Sequence, residues 1–459
     1  MLKDLCVPIS FALIMYKYLF LLLFICLNVP IQAETLLELY KIAEQNDPQV
    51  KIAYSDYLAI LEKKSQARAP LLPQVTLGAD VTEKWTKNDG MSGGSQENTG
   101  IGYNLSLNYA LYRRDLKIQL EQVDSQIKQA EASYESAKQA LMERLASRYF
   151  GILAANDNLK FARSAKKAFK RQKDEAQQRF EVGLIAITDV HEAQASYDLA
   201  VADEIQARNE LDNAYESLRE ITGEYHQALA FLNEDTPLLG PKPADIKSWT
   251  EFALVQNPQL QAAQYAVETA RQETEKQRAG NWPTIDLVGR HSYSDIARGD
   301  ENSMGNKTIS NSLAIQLNYS LYEGGAIRSR IKEARVRYVQ ALDQLEQQRR
   351  AVQLQTRQTF LNLLSNISRV KALKQALIST EIALKAVQTS FELGTRTSVD
   401  VVNAQRDLLR AKRDYSRTRY DYVLDTLRLK QVTGSLNLDD LSELNNWLTQ
   451  HRIELQLVH

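Results

Sequence analysis

The sequence predicts a mainly α-helical protein with a small β part, built from two tandem repeats of about 210 residues. Three observations predict this fold class. Short sequence blocks recur in the same order at an offset of 210 or 211 residues, four segments alternate apolar and polar residues, and two stretches of about 68 residues contain no proline. A fixed period indicates a repeated structural unit, and long heptad stretches indicate very long helices.

Four pairs of matching blocks mark the repeats. They are Asn46–Val50 with Gln256–Leu260, Leu107–Tyr112 with Leu317–Tyr322, Phe180–Gly183 with Phe391–Gly394, and Thr222–Gly223 with Thr433–Gly434. The first repeat is predicted to span residues 34–233, and the second residues 246–459 including a C-terminal tail. Residues 234–245 hold three prolines and a glycine and are predicted to form a linker.

Residues 1–33 are predicted to be a signal peptide. Lys17 precedes the apolar stretch 18–29, and Ala33 ends a cleavage-site pattern before Glu34. Translation could start at Met1 or at Met15, and both starts remain open. The alternative is an uncleaved membrane anchor over residues 5–29.

Composition argues against several classes of function. The 56 Lys and Arg balance the 57 Asp and Glu, which disfavours binding to nucleic acid. Both cysteines, Cys6 and Cys26, lie in the predicted signal peptide, so the mature chain offers no disulfide or cysteine nucleophile. The sequence shows no phosphate-binding loop or metal-ligand pattern, and its five histidines are scattered without an evident carboxylate partner. We therefore expect neither catalysis nor a cofactor.

Four segments have the two-residue period of strands with one apolar and one polar face. They are Val75–Val81, Ile101–Leu111, Thr284–Ser294 and Ile309–Leu321. Their alternation is interrupted by Gly289, His291 and Asn311. Each segment approaches the length that a tilted strand needs to cross a bilayer. Loops rich in Gly, Asn and Ser are predicted at residues 88–98 and 298–307.

Aromatic residues are predicted near the strand ends, where the surfaces of a bilayer would lie. They are Trp85, Tyr103, Tyr112, Trp282, Tyr293 and Tyr322. Four strands cannot close a membrane barrel, since the smallest has about eight. An eight-stranded barrel from two chains would be filled by its side chains, so a conduit needs at least three chains. A soluble sandwich is the alternative, but nothing in the sequence supplies its second sheet.

Residues Arg113–Phe180 and Ala326–Leu393 are predicted to form helices on the order of 100 Å long. Apolar residues at heptad spacing form a seam that holds helices together as a coiled coil. The seam consists of Leu116, Leu120, Val123, Ile127, Ala130, Tyr134, Ala137 and Leu141 in the first repeat, and of Ile327, Ile331, Ala334, Tyr338, Ala341 and Leu345 in the second. Pro73 and Pro283 are predicted to mark the switch from helix to strand in each repeat.

Each long helix is followed by a turn that contains a glycine and then by a returning helix. Thr188 in the first repeat, and Thr397 or Ser398 in the second, could cap the returning helix. Asp189 and Asp400 then fall in its first turn, where the helix dipole favours a negative charge. Capping therefore explains both carboxylates.

These sequence blocks resemble the TolC family of outer-membrane efflux proteins over essentially the whole mature chain. The similar blocks are Ala69–Gln74, Val182–Val190, Leu218–Gly223 and Gly394–Thr397. The resemblance implies a homotrimer with a shared twelve-stranded β-barrel in the outer membrane and a long α-helical barrel in the periplasm. It also implies contact with outer-membrane lipid and docking of an inner-membrane RND or ABC transporter through a periplasmic adaptor.

The resemblance further implies a latch at the periplasmic mouth. Asp189, next to Thr188, matches an aspartate that bonds to a tyrosine and an arginine of a neighbouring helix and keeps the mouth shut. Arg396 matches that arginine, and Phe391 occupies the tyrosine position without its hydroxyl. One of the latch bonds is therefore expected to be missing.

A constriction is implied by the same resemblance. Asp400 matches an acid that rings the mouth, and Asn403 stands where a second acid is found. Arg419 matches an arginine that bonds to this second acid, so its bond to Asn403 would have a neutral acceptor and be weaker. We expect a mouth that opens more easily and is less cation-selective than an acid-rich one.

The predicted function is a passive, gated exit duct in the outer membrane for small molecules or secreted polypeptides, opened by its partners. The alternative is a periplasmic coiled-coil adaptor or scaffold without a channel. An adaptor would share the signal peptide and the heptads, but it would not need four amphipathic strands. A secreted enzyme is a third and more distant alternative.

Overall fold

The computed structural model describes residues 34–87, 95–226, 228–298 and 307–449. The predicted signal peptide, most of both predicted strand-connecting loops and the predicted tail from residue 450 lie outside the described residues. The described helices are α1 Leu36–Asn46, α2 Pro48–Arg68, α3 Arg114–Glu181, α4 Ile187–Thr222, α5 Ile246–Gln256, α6 Pro258–Ala279, α7 Ala326–Glu392, α8 Ser398–Val432 and α9 Leu438–Asn445. The strands are β1 Gln74–Lys87, β2 Ser95–Tyr112, β3 Phe231–Leu232, β4 Thr284–Arg298, β5 Lys307–Asn318 and β6 Leu448–Thr449.

The order of two helices, two long strands and two longer helices occurs twice in the chain. Corresponding helices also begin in the same way. The N–H of Val50 donates to Asp47 Oδ1 at 2.9 Å, and the N–H of Leu260 donates to Asn257 Oδ1 at 2.9 Å. In α2 and α6 a proline follows the capping residue, where its missing N–H and fixed φ suit a helix start.

The four long strands form one antiparallel sheet in the order β1-β2-β4-β5. The prediction of four strands is confirmed. Two boundaries were wrong: β2 begins at Ser95, inside the predicted loop, and β5 ends at Asn318, so residues 319–321 leave the sheet. Within the described residues, β1 and β5 each pair with one neighbour and form the two edges of the sheet.

The register sorts the side chains onto two faces. Val75, Leu107, Gly289 and Leu313 form one row across the sheet, and the next row on the opposite face holds Thr76, Ser106, Arg290 and Ser312. Directly paired residues of an antiparallel sheet point to the same side, so one face is mainly apolar and the other mainly polar. The apolar side chains of both edge strands are exposed.

Two of the predicted strand-end aromatics lie elsewhere. Tyr103 has eight residues of β2 before it and nine after it, and its ring stacks on Tyr293 at 5.4 Å. The prediction was wrong for these two because the strands continue well past them. Trp282 does lie just before β4, and the guanidinium of Arg114 is 4.7 Å from its ring centroid.

Each long strand adjoins a long helix in the chain, and these helices have the same order of neighbours as the strands. Pro73 and Pro283 directly precede the first residues of β1 and β4, at the points where the chain leaves α2 and α6. The helices pack side by side in the order α2-α3-α6-α7, which matches the strand order. Further along α3 and α7 the order is α4-α3-α8-α7. No extensive contact within the described chain joins α2 to α7, so this layer is open at both edges.

The main hydrophobic core lies near the middle of α3. It gathers side chains from the two repeats and the short strands, including Leu36, Leu39, Leu141, Leu145, Tyr149, Phe150, Leu153, Leu218, Tyr422, Leu427 and Leu441. Towards the helix turns the buried clusters become small, and they consist of Ala165, Phe169, Ala200 and Val402, then of Ala176, Val190 and Ala193. None of the predicted seam residues is exposed, as a coiled coil requires.

One histidine has a partner that the sequence did not reveal. His226 Nδ1 lies 2.5 Å from Glu34 Oε2, and its Nε2 lies 2.8 Å from Thr222 Oγ1. Neither residue lies in a helix, and Glu34 is 192 residues away from His226 in the chain, so no local pattern in the sequence makes this carboxylate an evident partner.

Among the described helices, none combines the length and apolar character needed to span a membrane.

Candidate gate at the helix turns

The two helix turns have the same backbone conformation. Gly183 and Gly394 have φ values of 75° and 76°, a region that side chains disfavour. Their N–H groups donate to the carbonyls of Phe180 and Phe391, in both cases at 2.9 Å. The repeated sequence block thus produces the same turn twice, at the same end of the molecule.

The returning helices begin differently. Thr397 caps α8: its Oγ1 accepts from the N–H of Asp400 at 3.3 Å, and its own N–H donates to Asp400 Oδ2 at 3.0 Å. The N-cap of α4 is Ala186, which makes no side-chain bond. Thr188 lies inside the helix, so its predicted capping role was wrong. Of the two capping residues considered for α8, Thr397 rather than Ser398 takes this role.

The carboxylate of Asp400 is bonded to Thr397 within the same turn. Bonds from the backbone and the hydroxyl of Thr397 hold the pKa of Asp400 below its usual value, with a smaller contribution from Arg396. The Arg396 Nη1 atom lies 3.8 Å from Asp400 Oδ1, and the arginine side chain is 58% exposed. Asp400 therefore carries a stable negative charge at the turn.

The predicted latch residues do not meet within one chain. Arg396 contacts Asp400, and no side-chain partner of Asp189 is found among the described residues. The half-buried ring of Phe391 lies under the guanidinium of Arg179, at 4.6 Å from the ring centroid. Thr188 is exposed beside Asp189.

Two contacts across the turns were missed from the sequence. Arg179 covers Phe391, and Gln172 Nε2 donates to the Ser398 carbonyl at 2.9 Å. Both residues lie on α3 and reach the other repeat. Arg179 also pairs with Glu175, four residues earlier, so the sequence shows only an ordinary pair along one helix.

Arg419 lies far from the other constriction residues. It is 16 residues beyond Asn403 on the same helix, a rise of about 24 Å. Its guanidinium instead donates to the carbonyl of Asn233, next to the predicted linker. A bond from Arg419 to Asn403 within one chain is therefore excluded.

No cluster of metal-binding side chains occurs in the described parts of the chain.

Comparisons with known proteins agree with this architecture. The family model described as "Outer membrane efflux protein" matches residues 39–224 and 249–435. The chain is 35% identical over 440 residues to the outer membrane protein TolC of Escherichia coli, covering 91% of this chain and 86% of TolC. It is 28% identical over 415 residues to the alkaline protease secretion protein AprF of Pseudomonas aeruginosa, covering 88% and 85% of the two chains.

The fold is similar to that of the CmeC outer membrane channel of Campylobacter jejuni. The TM-score is 0.76 over 91% of this chain and 90% of that one, at 15% sequence identity. This similarity confirms the mainly helical fold with a four-stranded antiparallel sheet. The family match and the identity to TolC confirm an outer-membrane efflux function rather than an adaptor or an enzyme. With both repeats matched by the family model and nine tenths of the chain aligned with TolC, the chain belongs to the outer membrane efflux protein family.

Proposed function

We propose that three copies of the chain form a gated exit duct whose mouth lies at the helix turns. The single observation that carries this proposal is the layer that stays open at both edges. The strand order β1-β2-β4-β5 and the helix order α2-α3-α6-α7 leave β1 with α2 and β5 with α7 as free edges. A long edge strand exposes unpaired backbone groups, which another copy can satisfy.

Closure by three copies also accounts for the two faces of the sheet. Twelve strands give a barrel wide enough for a lumen, whereas eight are filled by side chains. The apolar face, with Val75 and Leu313, would contact lipid, and the polar face, with Ser106 and Ser312, would line the lumen. In this proposal residues 34–233 and 246–459 contribute equivalent halves around the linker at 234–245.

We propose that Asp189 and Arg396 form the latch between neighbouring helices of the closed mouth. Asp189 has no side-chain partner among the described residues, and the arginine makes only a long contact with Asp400. Both groups are therefore available to a partner in the assembled mouth. Phe391 contributes no hydroxyl, which leaves the latch with fewer bonds.

Asp400 and Asn403 are proposed to ring the constriction, and Arg419 to act elsewhere, at the level of Asn233. Energy for opening would come from an inner-membrane RND or ABC transporter that docks through a periplasmic adaptor. The relative AprF is named for protease secretion, which supports polypeptides as well as small molecules as cargo. The duct itself would be passive.

Single-channel conductance in a planar bilayer tests the proposal. We expect the wild type to conduct weakly and Arg396→Ala to conduct more, because the latch bond is lost. Arg410→Ala removes an exposed arginine from α8, the helix that follows Arg396, at a position away from the turn, and should behave like the wild type. Equal conductance of all three proteins would contradict the latch alone, whereas failure to insert would contradict the duct.

A further inference from the structure

The apolar face of the sheet changes character along the strands. The rows nearest the helices are apolar or aromatic: Ile285 with Leu317, then Tyr109 with Leu287 and Ile315, then Val75 with Leu107, Gly289 and Leu313. The next row holds Leu77, Leu105, His291 and Asn311. Polar groups therefore appear on this face at one definite level.

The two interruptions of the sequence alternation turn out to be partners across β4 and β5. His291 Nδ1 lies 2.6 Å from Asn311 Oδ1, and the Tyr103 hydroxyl lies 3.4 Å from His291 Nε2. Tyr103 stacks on Tyr293 in the following row. We call these four residues, Tyr103, His291, Tyr293 and Asn311, the polar belt.

Ionisable residues follow directly beyond the polar belt. The next row contains Asp295 and Lys307, whose charged atoms are 3.9 Å apart. Asp295 Oδ2 also accepts a hydrogen bond from the Tyr293 hydroxyl at 3.2 Å. Charged side chains on a lipid-facing surface are unfavourable at depth and tolerated near the interface.

The distance between the two aromatic levels fits a bilayer. Tyr293 follows Trp282 by eleven positions in the chain. This spacing corresponds to about 36 Å along a strand and about 28 Å along the membrane normal at a tilt of about 40°. The apolar band of a transmembrane barrel is about 25 Å tall and is flanked by aromatic residues on both sides.

We propose that the polar belt contacts the oxygen-rich headgroups of the outer lipid leaflet and marks the outer boundary of the membrane. The parts of β1 and β2 beyond the belt then stand outside the bilayer as a projecting hairpin. Phenol, imidazole and amide groups can all bond to headgroup oxygens, and aromatic rings favour this interface. The inference rests on the proposed barrel.

A second copy of the chain cannot account for the belt. The edges that would join copies are β1 and β5, whereas three of the four belt residues lie on the inner strands β2 and β4. Edge-to-edge pairing leaves the face of inner strands uncovered. Lipid is therefore the partner that meets this surface.

Cysteine labelling of outer membranes with a small, charged maleimide tests the boundary. The natural cysteines, Cys6 and Cys26, both precede the described chain, and the wild type serves as the background in every comparison. Ile101→Cys and Leu107→Cys form a matched pair, because both replace an apolar residue on the same face of β2. Ile101 lies beyond the polar belt, and Leu107 lies in the apolar row before it. Ser106→Cys is the control on the polar face.

We expect Ile101→Cys and Ser106→Cys to react about tenfold faster than Leu107→Cys, because lipid excludes a charged reagent. Disruption of the membrane by detergent should bring Leu107→Cys to the rate of the other two. If Ile101→Cys is as slow as Leu107→Cys while Ser106→Cys is fast, the proposed barrel is supported but the proposed membrane boundary is wrong. If all three react fast, the apolar face does not meet lipid and the proposed barrel fails as well.

Discussion

Asn403 is uncharged where the family resemblance implies a second acid at the proposed constriction. It lies one turn beyond Asp400 on α8 and is exposed. In a trimer the change from aspartate to asparagine removes one charge per chain from the mouth. Because a ring of carboxylates attracts cations, this chain should select cations less than a mouth with two acidic rings.

Restoring the acid should reverse this effect. We expect Asn403→Asp to increase cation selectivity, measured as the reversal potential in a salt gradient across a planar bilayer. Asn403→Gln keeps the amide and should leave the reversal potential unchanged. An Asn403→Asp protein with wild-type selectivity would show that Asn403 does not face the ion path.

The charge of Asp400 should persist to low pH. Its bonds with Thr397 hold the pKa of Asp400 below the usual value. The carboxylate is therefore still ionised at about pH 3.9, where an ordinary aspartate titrates. The bonds contribute stability above the unfolded pKa, and this contribution is lost as the pH falls through the lower folded pKa. We expect cation selectivity that depends on Asp400 to stay constant down to about pH 4.

The comparison is a pH series of reversal potentials for the wild type and Asp400→Asn. The variant should lack the acid transition altogether. A wild-type transition above about pH 5 would mean that repulsion between three neighbouring carboxylates outweighs the bonds from Thr397. That outcome would contradict the prediction.

Single-residue roles were the least predictable part of the sequence. Asp400 and Thr397 could be placed, because a capping pair is local in the chain. Thr188 could not, since the start of α4 is set by the backbone of Ala186 rather than by a side chain. The contacts of His226 with Glu34 and of Arg179 with Phe391 join distant segments, and no local pattern reveals them.

Two glycines at helix ends have the same backbone conformation but differ in how closely other atoms pack against them. Gly183 and Gly434 both have φ of 75°. A Cβ atom on Gly183 would meet nothing within 4 Å, whereas one on Gly434 would lie 2.4 Å from the Gln256 carbonyl oxygen. The helix end at Gly434 is therefore packed against the junction of α5 and α6, whereas the turn at Gly183 leaves space for a side-chain carbon.

We expect both alanine variants to be less stable than the wild type, but by different amounts. Gly183→Ala should cost roughly 1–2 kcal/mol, the cost of a left-handed backbone with a side chain. Gly434→Ala should cost roughly 1–3 kcal/mol more, because a carbonyl group must move. Thermal unfolding of the purified assembly in detergent measures the difference. Equal losses would contradict the close approach at Gly434.

The elements themselves were predictable because their periods are strong and long. Alternation identified all four long strands, and the heptads with few breakers identified α3 and α7. The lengths of the strands were less predictable. Polar residues such as Asn98 and Asp295 continue the strands beyond the apolar alternation, so Tyr103 and Tyr293 lie inside the strands instead of at their ends.

At the scale of the whole molecule, the matching order of strands and helices decides how copies can join. Each edge of the layer consists of a strand and the helix that continues it, β1 with α2 and β5 with α7. Repetition was evident in the sequence, but the neighbours of each element were not. They depend on contacts between segments that are about 200 residues apart.

We expect native mass spectrometry of the detergent-solubilised protein to give three chains per particle. Two chains would supply only eight strands, which leave no lumen, and one chain would leave both edges exposed. If mild extraction gives a monomer, chemical cross-linking in the membrane is the control that shows whether an assembly came apart during extraction. A dimer under both conditions would contradict the proposed duct.

The uneven distribution of the core has a mechanical consequence. Near the middle of α3 the wall is braced by large aromatic and aliphatic side chains from both repeats, whereas near the turns mainly alanines hold the helices together. Stiffness therefore falls towards the turns. In the proposed duct, a pull on the turns would bend the thinly packed end, and the braced middle would stop the deformation before it reaches the sheet. Such a duct would open at one end without loosening the seal between its wall and the surrounding lipid.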